Sequence, residues 1–246
     1  MNFLICIAKV PDTTSKISFI DNNTKFNEDK IQFIINPYDE WYALVRALEI
    51  KEANSGTVTV IHVGRADSEQ VIRKALAIGA DQAVRIDADV TDSMTVATYI
   101  SDYAKTRSFD IIMTGKESID HHSSAIGGMI AEMMDLPFIS LATKLDMNGS
   151  VATIEREIEG GKEIIKTQTP FVLSAHKGMA EQRIASMRGI MAARTKVIET
   201  LSPQVISPLV EAISFQLPAE KSACKMIEPD DMQALVNALH NDVKVI

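Results

Sequence analysis

The chain has 246 residues, 46% of them hydrophobic and 24% charged, and a formal net charge of −8. That length buries a sizeable core without disulfide or metal staples, and the negative balance argues against nucleic acid or an anionic membrane as partner. Two cysteines with no CxxC pair give no disulfide framework and suit a reducing, cytoplasmic space. The N-terminus lacks the basic and apolar regions of a signal peptide. No apolar run nears the roughly 20 residues of a bilayer span, so no direct membrane insertion is expected.

The first element is FLICIA (3–8), a continuous apolar run of the kind made by a strand buried on both faces. The polar stretch 11–30 reads as a loop or exposed hairpin. Asn36 precedes a proline and is held extended, so the helix that carries Ala43, Leu44, Ala47 and Leu48 begins after it. VTVIHV (58–63) is the next strand. Asp67 or Ser68 is placed to cap the helix that presents Val71, Ile72, Ala75 and Leu76, and Gly79 to end it. AVRI (83–86) is a third strand, followed by a helix capped by Asp92 or Ser93 and running to about Lys105. DIIMTG (110–115) is a fourth. Strand, short loop and helix in repetition predict an α/β fold: a mostly parallel twisted sheet with flanking helices.

From 150 the pattern changes. VATIEREIEGGKEIIKTQ reads as a β-hairpin turning at Gly160-Gly161, and PFVLSA as one more strand. The stretch 192–229 carries Pro203, Pro208, Pro218 and Pro229 and reads as an extended C-terminal arm, with a short helix from Asp230 to Leu239 beyond it. A long irregular arm is uncommon inside a compact domain, and it points to packing on another chain.

In parallel α/β sheets ligands bind beyond the carboxyl ends of the strands. The informative stretch is therefore TGKESIDHHSSAIGGMIAE (114–132), which follows the fourth strand. Adjacent His121 and His122 diverge on any regular backbone and lack the spacing of a zinc pair, so no metal site is expected. There is no GxSxG elbow for a nucleophilic serine, no Walker lysine followed by Ser or Thr, and no GxGxxG. What remains is a polar loop that feeds a helix start near Gly127. There, backbone N–H groups and the helix dipole favour an anion, and Gly127 and Gly128 would allow a phosphate to come close. An ordinary glycine-bearing connection is the alternative.

Several segments in order, ICIAKVPD, INPYDEWYALVRALEIKE, KALAIGAD, TGKESID, EREIEGGKE and SMRGIMAARTKVI, make the chain resemble the β subunit of electron transfer flavoproteins over nearly its whole length. The resemblance implies an adenine nucleotide alpha hydrolase-like fold in two parts. Residues 1–191 would form the nucleotide-binding α/β domain, with a recognition loop at about 183–192. Residues 192–246 would form an arm and short helix that pack on the α subunit. It implies a heterodimer with that α subunit, which holds most of the FAD, and an AMP buried in the β subunit, or a second FAD in its place. The task implied is electron transfer from acyl-CoA and related flavin dehydrogenases of fatty acid β-oxidation to a membrane quinone reductase, without catalysis of its own.

The same resemblance assigns positions. Ile7, Ala8, Asn36, Pro37, Tyr38, Asp39, Val63 and the loop with Gly115, Lys116, Asp120, His122, Ser123, Ser124, Ala125, Ile126 and Gly127 would line the nucleotide pocket. Tyr38 and the segment near Thr14 would approach the flavin. Glu157 would pair with an arginine of the α subunit. Met187, Ile190 and Met191 would belong to the surface that docks dehydrogenases, with Met187 where relatives often have an anchoring leucine. This chain departs from its relatives at His121 and His122, where acidic residues are common, and at Ala125-Ile126, where Gln-Thr is frequent. A stand-alone nucleotide-binding sensor of the universal-stress type is the rival reading. An adenylate-transferring enzyme is a third, without a pyrophosphate-loop motif to support it.

Overall fold

In the computed structural model, which describes residues 1–90, 92–221 and 223–246, a nine-stranded sheet runs through the molecule. The first half of the chain forms β1 (Asn2–Cys6), β2 (Lys9–Pro11), β3 (Phe19–Ile20), β4 (Lys25–Phe26), β5 (Phe33–Ile35), α1 (Asp39–Asn54), β6 (Thr57–Val63), α2 (Glu69–Ile78), β7 (Gln82–Ile86), α3 (Ser93–Lys105) and β8 (Ile111–Gly115). The second half forms α4 (Ile126–Met134), β9 (Phe138–Asn148), β10 (Val151–Ile158), β11 (Gly161–Gln168), β12 (Phe171–Ala175), α5 (Met187–Thr195), β13 (Ile198–Leu201) and α6 (Met232–Asn237). The sheet order is β11-β10-β9-β12-β8-β1-β6-β7-β13. From β9 to β13 every pairing is parallel, and β9, β10 and β11 form an antiparallel meander at one edge.

The apolar runs are continuous because helices cover both faces. Along β1, Phe3 and Ile5 pack with Leu44, Leu48, Ile72 and Leu76 of α1 and α2. Leu4 and Cys6 pack on the opposite face with Ile100 and Tyr103 of α3 and Ile130 of α4. Each large side chain buried in this way stabilises the fold by about 1.5–3 kcal/mol. Within 11–30 the hairpin is β3–β4.

Three features differ from the sequence expectation. The cap of α2 is not made: a 3₁₀ turn at Ala66–Ser68 leads into the helix, the Ser68 side chain makes no cap bond, and Asp67 turns to Lys9 at 2.5 Å. Strand β9 was not foreseen. Its buried residues Ile139, Ala142 and Leu145 recur every third position, because Leu141 sits at φ 56° and the register with β12 shifts there. Helix α5 and edge strand β13 were not foreseen either. Only Ala193 of α5 is buried, so no apolar periodicity announces it.

Helix α5 is nevertheless firmly fastened. A Cβ on Gly189 would collide with the Ala77 carbonyl oxygen of α2, so the two helices touch backbone to backbone there. The Ser186 hydroxyl caps the helix by accepting the Gly189 N–H at 3.1 Å. Arg73 donates to the Ala193 and Lys196 carbonyls at 2.7 and 3.0 Å, and Arg183 forks onto Glu52 at 2.7 and 2.9 Å.

After Leu201 the chain is largely irregular up to α6. Leu209 N–H donates to Asp92 Oδ2 at 2.9 Å. Phe215 N–H donates to the Asn23 carbonyl at 2.8 Å, and its ring stacks on Phe19 at 4.9 Å between centroids. Between and beyond these ties Val205, Ile213 and Met226 are 97%, 84% and 85% exposed. Asp231 caps α6 through the Ala234 N–H at 2.9 Å, and a π turn at Ala238–Val243 follows.

Asp92 therefore has two tasks, since its other oxygen caps α3 by accepting the Thr95 N–H at 3.1 Å. Asp92→Ala should lower stability in urea unfolding by about 1 kcal/mol. It should also speed limited proteolysis between 202 and 216, the stretch it tethers.

Candidate functional site

The chain runs β1, β6, β7 toward one edge and then returns to place β8 on the other side of β1. The helices that follow β1 and β8 lie on opposite faces, and a crevice opens where they part. A cavity of about 540 Å³ occupies it. The floor is the carboxyl ends of β1, β6 and β8: Cys6, Ile7 and Ala8, His62 and Val63, Thr114 and Gly115. The walls are the first turns of α3 and α4 and the loop from Lys116 to Ser124. Leu209 and Val210 of the arm close one side.

Of the residues assigned from sequence, Ile7, Ala8, Val63, Gly115, Lys116, Asp120, Ser123, Ser124, Ala125 and Ile126 are brought together at the cavity. Asn36 stands behind it. Fully buried, its amide donates to the Glu117 carbonyl at 2.8 Å and accepts the Ile119 N–H at 3.0 Å, pinning the loop. His122 turns to Glu117, 3.4 Å away, and His121 takes its place at the lining. Gly127 is buried and does not line the cavity. A Cβ there would meet Thr114 Oγ1 at 2.7 Å and the Phe138 ring at 2.9 Å, so tight packing of α4 on the sheet accounts for the glycine.

The sequence reading did not single out Glu40, His62 or Thr114, covered Glu117 only as part of the loop from Gly115 to Ile126, and gave Asp92 only as a helix cap. Glu117 gathers the loop: it pairs with Lys116 at 3.0 Å and accepts from Ser124 at 3.1 Å. Its hydrogen bond from Lys116, with those from Ser124 and His122, holds the carboxyl below its usual range. Glu40 and His62 grip one peptide group from its two ends. Ala8 N–H donates to Glu40 Oε2 at 2.5 Å, and His62 Nδ1–H donates to the Ile7 carbonyl at 2.8 Å. Burial pushes the Glu40 carboxyl well up, with Asp120 and Asp39 adding to it, and pushes the His62 imidazole down. Both groups are thereby favoured in their neutral forms. Burial also raises the Cys6 thiol, which is inert for that reason.

The two helix starts differ. Asp92 already fills that of α3 with a carboxylate. At α4 the N-cap is Ala125, which has no polar side chain to offer, so the first-turn N–H groups find no side-chain acceptor there. Thr114 belongs to the lining, but its Oγ1 is buried against Gly127 of α4 and has no partner among the described residues. The open helix start fits a phosphate. Among the described residues no group of three His, Cys, Asp or Glu is placed to hold a metal ion.

A second patch lies beside the loop. After Pro37, Tyr38 is half exposed at φ 68° and ψ −77°, a conformation uncommon for a bulky residue. Asp39 Oδ2 accepts the Glu117 N–H at 3.4 Å, and Oδ1 lies 3.5 Å from His176 Nδ1. The other imidazole nitrogen is 3.8 Å from Glu157 at the hairpin end. Burial raises the Asp39 carboxyl, against the pull of His176. His176 carried no motif in the sequence. Elsewhere, Met187, Ile190 and Met191 of α5 are 75%, 37% and 57% exposed.

Residues 23–205 match the model of the electron transfer flavoprotein domain. The chain is 36% identical to the electron transfer flavoprotein subunit beta of Bacillus subtilis (strain 168), with the whole of both chains covered. It is 32% identical to the subunit of that name from Syntrophomonas wolfei subsp. wolfei, covering all of this chain and 98% of the relative. It is 33% identical to protein FixA of Sinorhizobium fredii over 81% of this chain and 73% of that one.

Glu40 gives a pH signature. Its folded pKa lies above its unfolded value, so its stabilising contribution is complete at low pH. That contribution is lost as pH rises through the folded value. Glu40→Gln cannot lose the proton, so its urea midpoint should gain on that of the unaltered chain as pH rises over the range above that of an ordinary glutamate. A constant difference across that range would refute the neutral carboxyl.

Proposed function

The chain belongs to the electron transfer flavoprotein family, and from that premise we propose that it is the β subunit of a heterodimer. In it the α subunit holds most of an FAD and this chain buries an AMP. The observation that carries the nucleotide reading is the α4 start, uncapped by any side chain and opening into a cavity at the strand-order reversal. Ala125 and Ile126 N–H groups would hold the phosphate, with Lys116 near by. Ile7, Ala8 and Val63 would floor the nucleoside. Asp92 fills the second helix start, which leaves one anion cradle, the need of a mononucleotide. A second FAD is the alternative occupant.

When bound, FAD supplies the redox chemistry, and the protein positions and tunes it. From this chain Tyr38 and the segment near Thr14 would approach the flavin. Glu157, steadied by His176, would meet an arginine of the α subunit. Of 192–246, the end of α5 stays on α2 and β13 pairs with β7, and the stretch from Ser202 would pack on the α subunit. Its exposed Val205, Ile213 and Met226 support a partner and tell against a stand-alone sensor. Electrons would come from acyl-CoA and related dehydrogenases docking on 183–192, and go to a membrane quinone reductase, with this protein on the cytoplasmic side.

Extraction of the purified heterodimer followed by mass spectrometry should return one FAD and one AMP. Two FAD, or FAD alone, would overturn the AMP assignment. Ala125→Asp would place a carboxylate on that helix start, as Asp92 does at α3, and compete with the phosphate. It should weaken AMP retention about ten- to a hundredfold, the worth of a hydrogen bond to a charged group, while FAD stays bound. Met187→Ala should raise KM for the dehydrogenase with FAD content unchanged, and loss of flavin in that variant would count against a docking role.

A further inference from the structure

A second cleft, of about 590 Å³, lies between α1, α2 and α5. Its lining combines Trp41, Ala77, Ile78, Ile184 and Ile190 with Arg73, Lys74 and Arg194, and contains no Asp or Glu. In a chain of net charge −8 this is a locally reversed balance. Arg73 is engaged with carbonyl oxygens of the α5 end, and Lys74 Nζ lies 4.8 Å above the Trp41 ring. The Trp41 indole N–H is buried and has no acceptor among the described residues.

The cleft is continuous with α5, which contributes Ile190, Ala193 and Arg194 to it and carries Met187 and Met191 on its exposed side. We propose that this cleft is a socket for an acidic side chain on an apolar segment of the electron-donating dehydrogenase that docks on α5. The carboxylate would settle between Lys74 and Arg194 beside the Trp41 ring, and the apolar flank against Ile184 and Ile190. Charge complementarity argues for this occupant: Lys74 and Arg194 stand over an apolar floor with no carboxylate in the lining, and among the described residues only Asp12, outside the cleft, acts on Lys74, so the cleft suits an anion with an apolar body. The inference rests on the reading of α5 as the docking helix. It adds a charged contact to the apolar one, and with it a salt-dependent approach.

The test uses the heterodimer and two readouts. With medium-chain acyl-CoA dehydrogenase and octanoyl-CoA as donor, Lys74→Glu and Arg194→Glu should raise KM about five- to twentyfold at low ionic strength. The values should converge on wild type at high salt, with FAD content and flavin potential unmoved. Trp41 is the chain's only tryptophan, so its indole N–H is a single resonance when this subunit alone is nitrogen-labelled. Hexanoate should shift that resonance, the neutral hexanamide should not, and Lys74→Glu should abolish the response. If the charge variants keep wild-type KM while Met187→Ala raises it, docking on α5 stands and the socket is refuted. If hexanamide acts as strongly as hexanoate, the call for an anion is refuted. If Met187→Ala is also silent, the docking reading fails, and a hexanoate response that persists keeps the cleft as an anion site.

Discussion

The right-handedness of strand–helix–strand crossovers is the constraint on which the molecule depends. Once β6 and β7 are laid to one side of β1 with α1 and α2 on one face, a return to the other side carries α3 and α4 to the opposite face. The gap beyond β1 and β8 is a consequence of that reversal and needs no special residue. Chemistry then enters through what fills the gap's rim: Ala125 and Ile126 at the start of α4, a buried amide behind the loop, and two ionisable groups below that burial favours in their neutral forms.

The division between the two helix starts is a matter of charge. Both present N–H groups and a positive dipole end. Asp92 satisfies one from within the chain and uses its second oxygen to hold the arm. Ala125 leaves the other without a side-chain acceptor. A single residue thus decides how many helix starts remain open at the pocket, and ties that decision to the course of the C-terminal segment.

Much of this was legible in the sequence, for physical reasons that also mark the limits. Strands β1, β6, β7, β8 and β12 are covered on both faces, so FLIC, TVTVIHV and FVLSA stand out as apolar runs. Strand β9 does not, because the backbone at Leu141 breaks the alternation of buried positions. Helix α5 is held by backbone contacts, capping and arginine bonds to carbonyls, none of which leaves an apolar stripe to read. The loop after β8 announced itself by its place after a buried strand. Glu40, His62 and Thr114 did not, since they are gathered from separate elements and matter through burial and hydrogen bonds that only the closed fold creates. Asn36 was assigned to the pocket, and the structure gives it the task of holding the loop that forms the wall.

The contact of Gly189 with the Ala77 carbonyl separates what anchors α5 from what it displays. The outward residues Met187 and Met191 take no part in the anchoring, so they can be exchanged while the framework keeps its shape. If α5 docks redox partners as proposed, their selectivity can change at those two side chains without disturbing the seat of the helix. The one position that must stay without a side chain serves every version alike.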